Sequence, residues 1–110
     1  MSSPANPPNV LVSKLTDEDM RELVEEFVGE LPARVRIIEA GLREQDLEAI
    51  RRAAHQSKGS AGGYGFPTIT DAANDLEQSV KTGETMETLA QQCRVLTELC
   101  RQARARAPKV

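Results

Sequence analysis

The chain has 110 residues, a formal net charge of −3, 39% hydrophobic and 28% charged residues. That length allows one domain with one modest core, and the charge balance offers nothing to nucleic acid. Phe27, Tyr64 and Phe66 are the whole aromatic set, so the core must come from Leu, Val, Ile, Met and Ala, which suits packed helices.

Residues 2–9, "SSPANPPN", are rich in Pro, Ser and Asn. They predict a flexible leader or linker over residues 1–15, with Val10, Leu11 and Val12 covering the end of the core. No charged-then-apolar pattern marks a signal peptide. Thr16 is the predicted cap of the first helix, with Asp17, Glu18 and Asp19 near the positive end of its dipole. Met20, Leu23, Val24, Phe27, Val28 and Leu31 then recur at three- and four-residue steps as one apolar stripe. Gly29 and Pro32 read as a stop and a restart. The second helix is expected over about residues 32–43, with Val35, Ile38 and Leu42 inward and Ile37 beside them.

Asp46 can cap a third helix that runs to about Gly62, with Leu47, Ile50, Ala54, Ser57 and Ala61 inward. "GGYGFP" is a turn closed by Pro67. The fourth helix starts near Pro67 or Thr68 and ends at Gly83, with Ile69, Ala72, Ala73, Leu76 and Val80 as its stripe. The fifth, about residues 84–104, carries Met86, Leu89, Cys93, Leu96, Cys100 and Ala103 in a regular seam. No stretch alternates long enough for a strand. The expected fold is all-α: an antiparallel four-helix bundle with an additional short N-terminal helix, over residues 16–105. Residues 106–110 are read as a tail, and the basic run in "RQARARAPKV" as solvated.

Cys93 and Cys100 lie about 10 Å apart along one helix, beyond the ~7 Å at which alpha carbons can be bridged. They read as reduced, buried, small hydrophobes, which fits a cytoplasmic protein. No window approaches a membrane span. Each apolar stripe can be buried internally, so a monomer is expected.

His55 is the only histidine. At roughly 100° per residue it lies about 130° from the inner stripe of its helix, and Gly59 about 175° away. Both belong to the wet side, with Arg52 and Glu48. Lys58, one turn on, can reach the same space. An exposed glycine inside a helix costs on the order of 1 kcal/mol relative to alanine. Gly59 has two readings from the residues: access for a partner beside His55, or a helix already ending. Across the turn, Glu77 falls at a height similar to His55, on the flank of its own helix about 80° from the stripe. A long Glu could accept a hydrogen bond from one ring nitrogen, fix the tautomer and leave the other nitrogen as a nucleophile. A solvated surface charge is the plain alternative for Glu77 and for Lys58.

One histidine and two distant cysteines make no zinc set. No P-loop or dinucleotide fingerprint occurs, and no room remains for an ATP-binding region. The stretch "AAHQSKGSAGGYG" closely resembles the signature of histidine-containing phosphotransfer (HPt) domains of phosphorelays. The matching residues are His55, Lys58, Gly59, Ser60 and Gly65, and "AANDLE" resembles the segment opening the next helix. The departures are Gln56 and Ser57 after the histidine, and Gly63–Tyr64 before the last glycine; they bear on partner preference.

The resemblance implies a helical bundle whose His55 is phosphorylated on a ring nitrogen. Lys58 would hold the phosphoryl group, and Glu77 would bond the other ring nitrogen. Gly59, Arg52 and Gly62 would form the docking surface. The implied partner is a response-regulator receiver domain, with a sensor histidine kinase as a further candidate, and with no nucleic acid and no membrane. No cofactor or metal is expected in this chain, and Mg²⁺ is expected on the receiver. The implied role is a carrier in two-component signalling, not an enzyme. The alternatives are a phospho-accepting domain of a chemotaxis-type or hybrid histidine kinase, a receiver-binding adaptor that carries no phosphate, and a plain helical interaction domain.

Overall fold

A computed structural model describes residues 10–107. Among them are four helices: α1 (Arg21–Glu44), α2 (Leu47–Gly63), α3 (Pro67–Thr82) and α4 (Met86–Gln102). Each packs against the next, and α4 closes back on α1. Val24, Phe27, Leu31 and Ile38 of α1 meet Ile50 of α2, Ile69 and Leu76 of α3, and Leu89 and Leu96 of α4 in one core.

The first correction concerns α1. The expected break at Gly29 and Pro32 is absent, and one helix of 24 residues runs through Pro32. Among the described residues no separate short N-terminal helix precedes it, only a 3₁₀ turn, Glu18–Met20, leading into α1. Asp17, not Thr16, caps that turn, accepting from the Asp19 N–H at 2.9 Å. Proline inside a helix costs roughly 3 kcal/mol. Here Val24, Phe27, Leu31, Val35 and Ile38 form a single buried stripe that keeps phase across Pro32. Burial of that stripe outweighs the lost backbone bond, while Pro32 and Gly29 face solvent. Leu23, Ile37 and Leu47, expected inward or beside the stripe, are 45%, 49% and 39% exposed. They sit at the edge of arcs whose width the neighbouring helices set.

Local chemistry explains the other helix ends. Asp46 Oδ1 accepts from the Ala49 N–H at 3.1 Å and starts α2. Pro67 occupies the first turn of α3, where a missing N–H costs nothing. Gly83 ends α3 in the left-handed conformation. Thr85 Oγ1 accepts from the Thr88 N–H at 3.2 Å and starts α4. Cys93 and Cys100 are free and buried, and burial pushes both thiols up to about 11.

The second correction concerns the boundaries. Residues 10–15 are not a loose leader. A two-residue strand, β1 (Leu11–Val12), pairs in parallel with β2 (Ala103–Arg104). Both are too short for any alternation to show in sequence. Ser13 Oγ then donates to Tyr64 O at 2.6 Å, and the Lys14 N–H donates to Gly65 O at 2.8 Å. Arg106, placed in the tail by the sequence reading, donates to Leu15 O at 3.1 Å and pairs with Glu18 at 3.3 Å. Both ends of the described chain are therefore tied to the α2–α3 turn and the start of α1. The remainder of the expected leader and tail, residues 1–9 and 108–110, lies outside the described residues.

Candidate functional site

α2 and α3 share a turn, and α3 returns along α2. Near the turn Thr70 Oγ1 approaches Lys58 O at 3.5 Å, and farther along Glu77 meets His55. The inner side of α2 is narrow: Ile50, Ala53, Ala54, Ser57 and Ala61 are buried. Ser57 satisfies its buried hydroxyl by donating to Ala53 O at 2.8 Å. These small residues let α3 approach closely, and His55 projects from the outer flank with its side chain 62% exposed.

Glu77 is where the structure departs most from the sequence reading. Its side chain is only 1% exposed. It does sit on the flank of α3, but α2 lies over that flank. Glu77 Oε2 accepts from His55 Nδ1–H at 2.8 Å. The Lys58 ammonium lies 2.6 Å from Oε1, an ion contact rather than a well-aligned hydrogen bond. Lys81, one turn along α3, places Nζ 3.5 Å from Oε2. Lys58 Nζ also donates to Asn74 Oδ1 at 3.4 Å.

The electrostatics follow from these contacts. Lys58, then His55 and Lys81, hold the Glu77 carboxyl down to about 2 against the upward push of burial. Glu77 is ionised at neutral pH and can only accept. In the neutral ring Nδ1 therefore carries the proton and Nε2 the lone pair.

The structure brings three predicted residues, His55, Lys58 and Glu77, into one cluster. Gly59, Arg52 and Gly62 do not join it. They line the exposed side of α2 at helical spacing with His55. Arg52 is held only loosely, 3.9 Å from Glu48. A Cβ at Gly62 would come 3.4 Å from Thr70 Oγ1, whereas one at Gly59 would meet nothing within 4 Å. α2 continues to Gly63, so Gly59 does not mark a fraying end. Two residues at the site escaped the sequence reading, Asn74 and Lys81. The available signal was their spacing from Glu77, three before and four after on one helix.

Among the described residues no three His, Cys, Asp or Glu side chains gather as a metal set, and no helix is long and apolar enough to cross a membrane. The family model for the Hpt domain matches residues 22–106, which takes in all but the first residue of α1 and the whole of α2, α3 and α4. No curated protein and no solved structure matches the chain.

Proposed function

The chain belongs to the Hpt domain family, whose members carry out histidine phosphotransfer in two-component signalling, and on that premise we propose that His55 is the residue that accepts and donates the phosphoryl group. One observation carries the reading. An exposed imidazole has Nδ1 bonded to a buried, ionised carboxylate at 2.8 Å, which in the neutral ring leaves the lone pair on Nε2.

The chemistry then balances simply. The Nε2 lone pair attacks the phosphorus of a receiver's aspartyl phosphate. A P–N bond forms as the P–O bond breaks, and the aspartate carboxylate leaves with the electron pair. No proton moves, because Nδ1 already holds the ring proton. Positive charge grows on the ring during attack, and Glu77 stabilises it through Nδ1–H. Lys58 offers its ammonium as a point charge for the phosphoryl oxygens. Any Mg²⁺ in the step belongs to the receiver.

Gly59 supports docking of that receiver on α2. The fold itself gives the glycine no use, since a side chain there would enter open space. Arg52 and Gly62, on the same exposed side, complete the surface we assign to the partner. A sensor kinase can present its phosphoryl donor to the same face. We read the protein as a monomeric carrier on an antiparallel bundle, working in the cytoplasm and without an ATP site of its own.

The test is phosphoryl transfer from a receiver domain charged with acetyl phosphate, comparing the native chain with His55→Gln. The expected label is acid-labile, base-stable and absent from the variant. No label on the native chain from several receivers would sink the carrier reading and leave a receiver-binding adaptor in its place.

A further inference from the structure

Lys58 has two tasks in the reading above. It is the cation closest to Glu77, and it is the ammonium offered to the phosphoryl group. One ammonium at one place serves one anion well. A phosphoryl group on Nε2 carries nearly two negative charges and competes with Glu77 for Lys58. Glu77 cannot turn to water as Lys58 withdraws, because its side chain is 1% exposed. A buried carboxylate that loses its counter-ion takes up a proton. A neutral Glu77 would then hold Nδ1–H weakly, and the tautomer that makes Nε2 the reactive nitrogen would lose its support.

Lys81 stands where this problem can be solved. Its Nζ is 3.5 Å from Oε2, the oxygen that also accepts from His55. Its side chain is 48% exposed, so it can move, and it has slack to close toward the shorter distance of a charge-assisted hydrogen bond. An i,i+4 pair between exposed side chains contributes little. This pair differs because its acidic partner is buried. The other groups facing Glu77 come from α2: His55 and Lys58 in contact, and Arg51, which feels its charge while paired with Glu48.

We propose that Lys81 is a positioning residue, the second counter-ion of Glu77, which keeps the carboxylate ionised and bonded to His55 Nδ1 while Lys58 holds the phosphoryl group. The purpose assigned to Lys81 rests on the phosphocarrier reading. The pairing itself does not.

Two measurements separate them. The first follows the Glu77 side-chain carboxyl carbon by NMR against pH in the unphosphorylated native chain, Lys58→Gln, Lys81→Gln and the double variant. Lys81→Gln is expected to titrate close to the native chain, since Lys58 remains, and Lys58→Gln above it, since the strongest partner is gone. The double variant should titrate about one pH unit or more above Lys58→Gln. Coincident curves for the double variant and Lys58→Gln would overturn the proposal. The second measures phosphoryl transfer to His55 as a function of pH. Lys81→Gln should lose transfer on the acid side at a higher pH than the native chain, and Lys81→Arg should restore the native profile. A Lys81→Gln profile identical to native would overturn the proposal even if the titrations differ. A native chain that takes no label, with the NMR result intact, would overturn the phosphocarrier reading and the purpose of Lys81 while leaving the pairing.

Discussion

Gly59 and Gly65 stand six residues apart in one short stretch, at two ends of very different construction. At the turn, Gly65 has φ +87°, and a Cβ there would collide with Ser13 Oγ and come within 2.7 Å of Leu15 N and 2.9 Å of Lys14 N. The N-terminal segment lies directly on that glycine. Around it all three aromatics gather, with Phe27 stacked on Tyr64 at 4.9 Å and tilted against Phe66 at 5.9 Å. On the His55 side, Gly59 has an ordinary helical place and empty space above it. One glycine is required by the chain's own packing. The other is left unexplained by it, and the function proposed above assigns it to the docking face.

The comparison breaks first at Gly65. Gly65→Val combines an unfavourable positive φ with a clash against residues 13–15, so urea unfolding should show a loss of about 3–4 kcal/mol. An unchanged midpoint would mean that the seating of residues 10–15 does not depend on this glycine.

The second effect belongs to the His55 side. Glu77 is held at about 2 in the folded chain against 4.5 as its ordinary value. A depressed carboxyl stabilises the fold above its unfolded value and loses that contribution as pH falls. The unfolding free energy read from urea curves should therefore fall between about pH 4.5 and 2, by up to about 3 kcal/mol from this group. Glu77→Gln should flatten that limb while lowering stability at neutral pH. An equally steep limb in the variant would assign the acid sensitivity to other carboxylates.

The third test sharpens the contrast most directly. Gly59→Ala should leave the fold intact or stabilise it by up to about 1 kcal/mol, yet slow phosphoryl transfer from a receiver, with Gly59→Gln slowing it further. Unaltered transfer in both variants would remove the docking role from this glycine. The smallest effect returns to the turn end. Arg106→Ala removes a partly exposed pair with Glu18 and a bond to Leu15 O, and should cost about 0.5–1 kcal/mol by the same unfolding assay.

Much of this was legible without coordinates. Helical spacing placed the apolar stripes of α2, α3 and α4, and Asp46, Pro67 and Gly83 marked ends by local chemistry that needs no neighbour. The angular count put His55 outside and Glu77 within reach of it. Pro32 misled because its cost is local, while the stripe that outweighs it runs along the whole of α1. Asn74 and Lys81 went unnoticed because a polar residue at helical spacing acquires meaning only from what lies opposite.

Sequence periodicity by itself determined a predominantly helical domain with one exposed histidine, because the side a residue faces depends only on its place along its own helix. Tertiary structure alone decided that Glu77 is buried, that residues 10–15 belong to the packed unit, and that Gly65 is enclosed while Gly59 is open. Burial is the reason in every case. It is conferred by elements distant in sequence, and it encloses a flank glutamate between two lysines and the Nδ1 of His55.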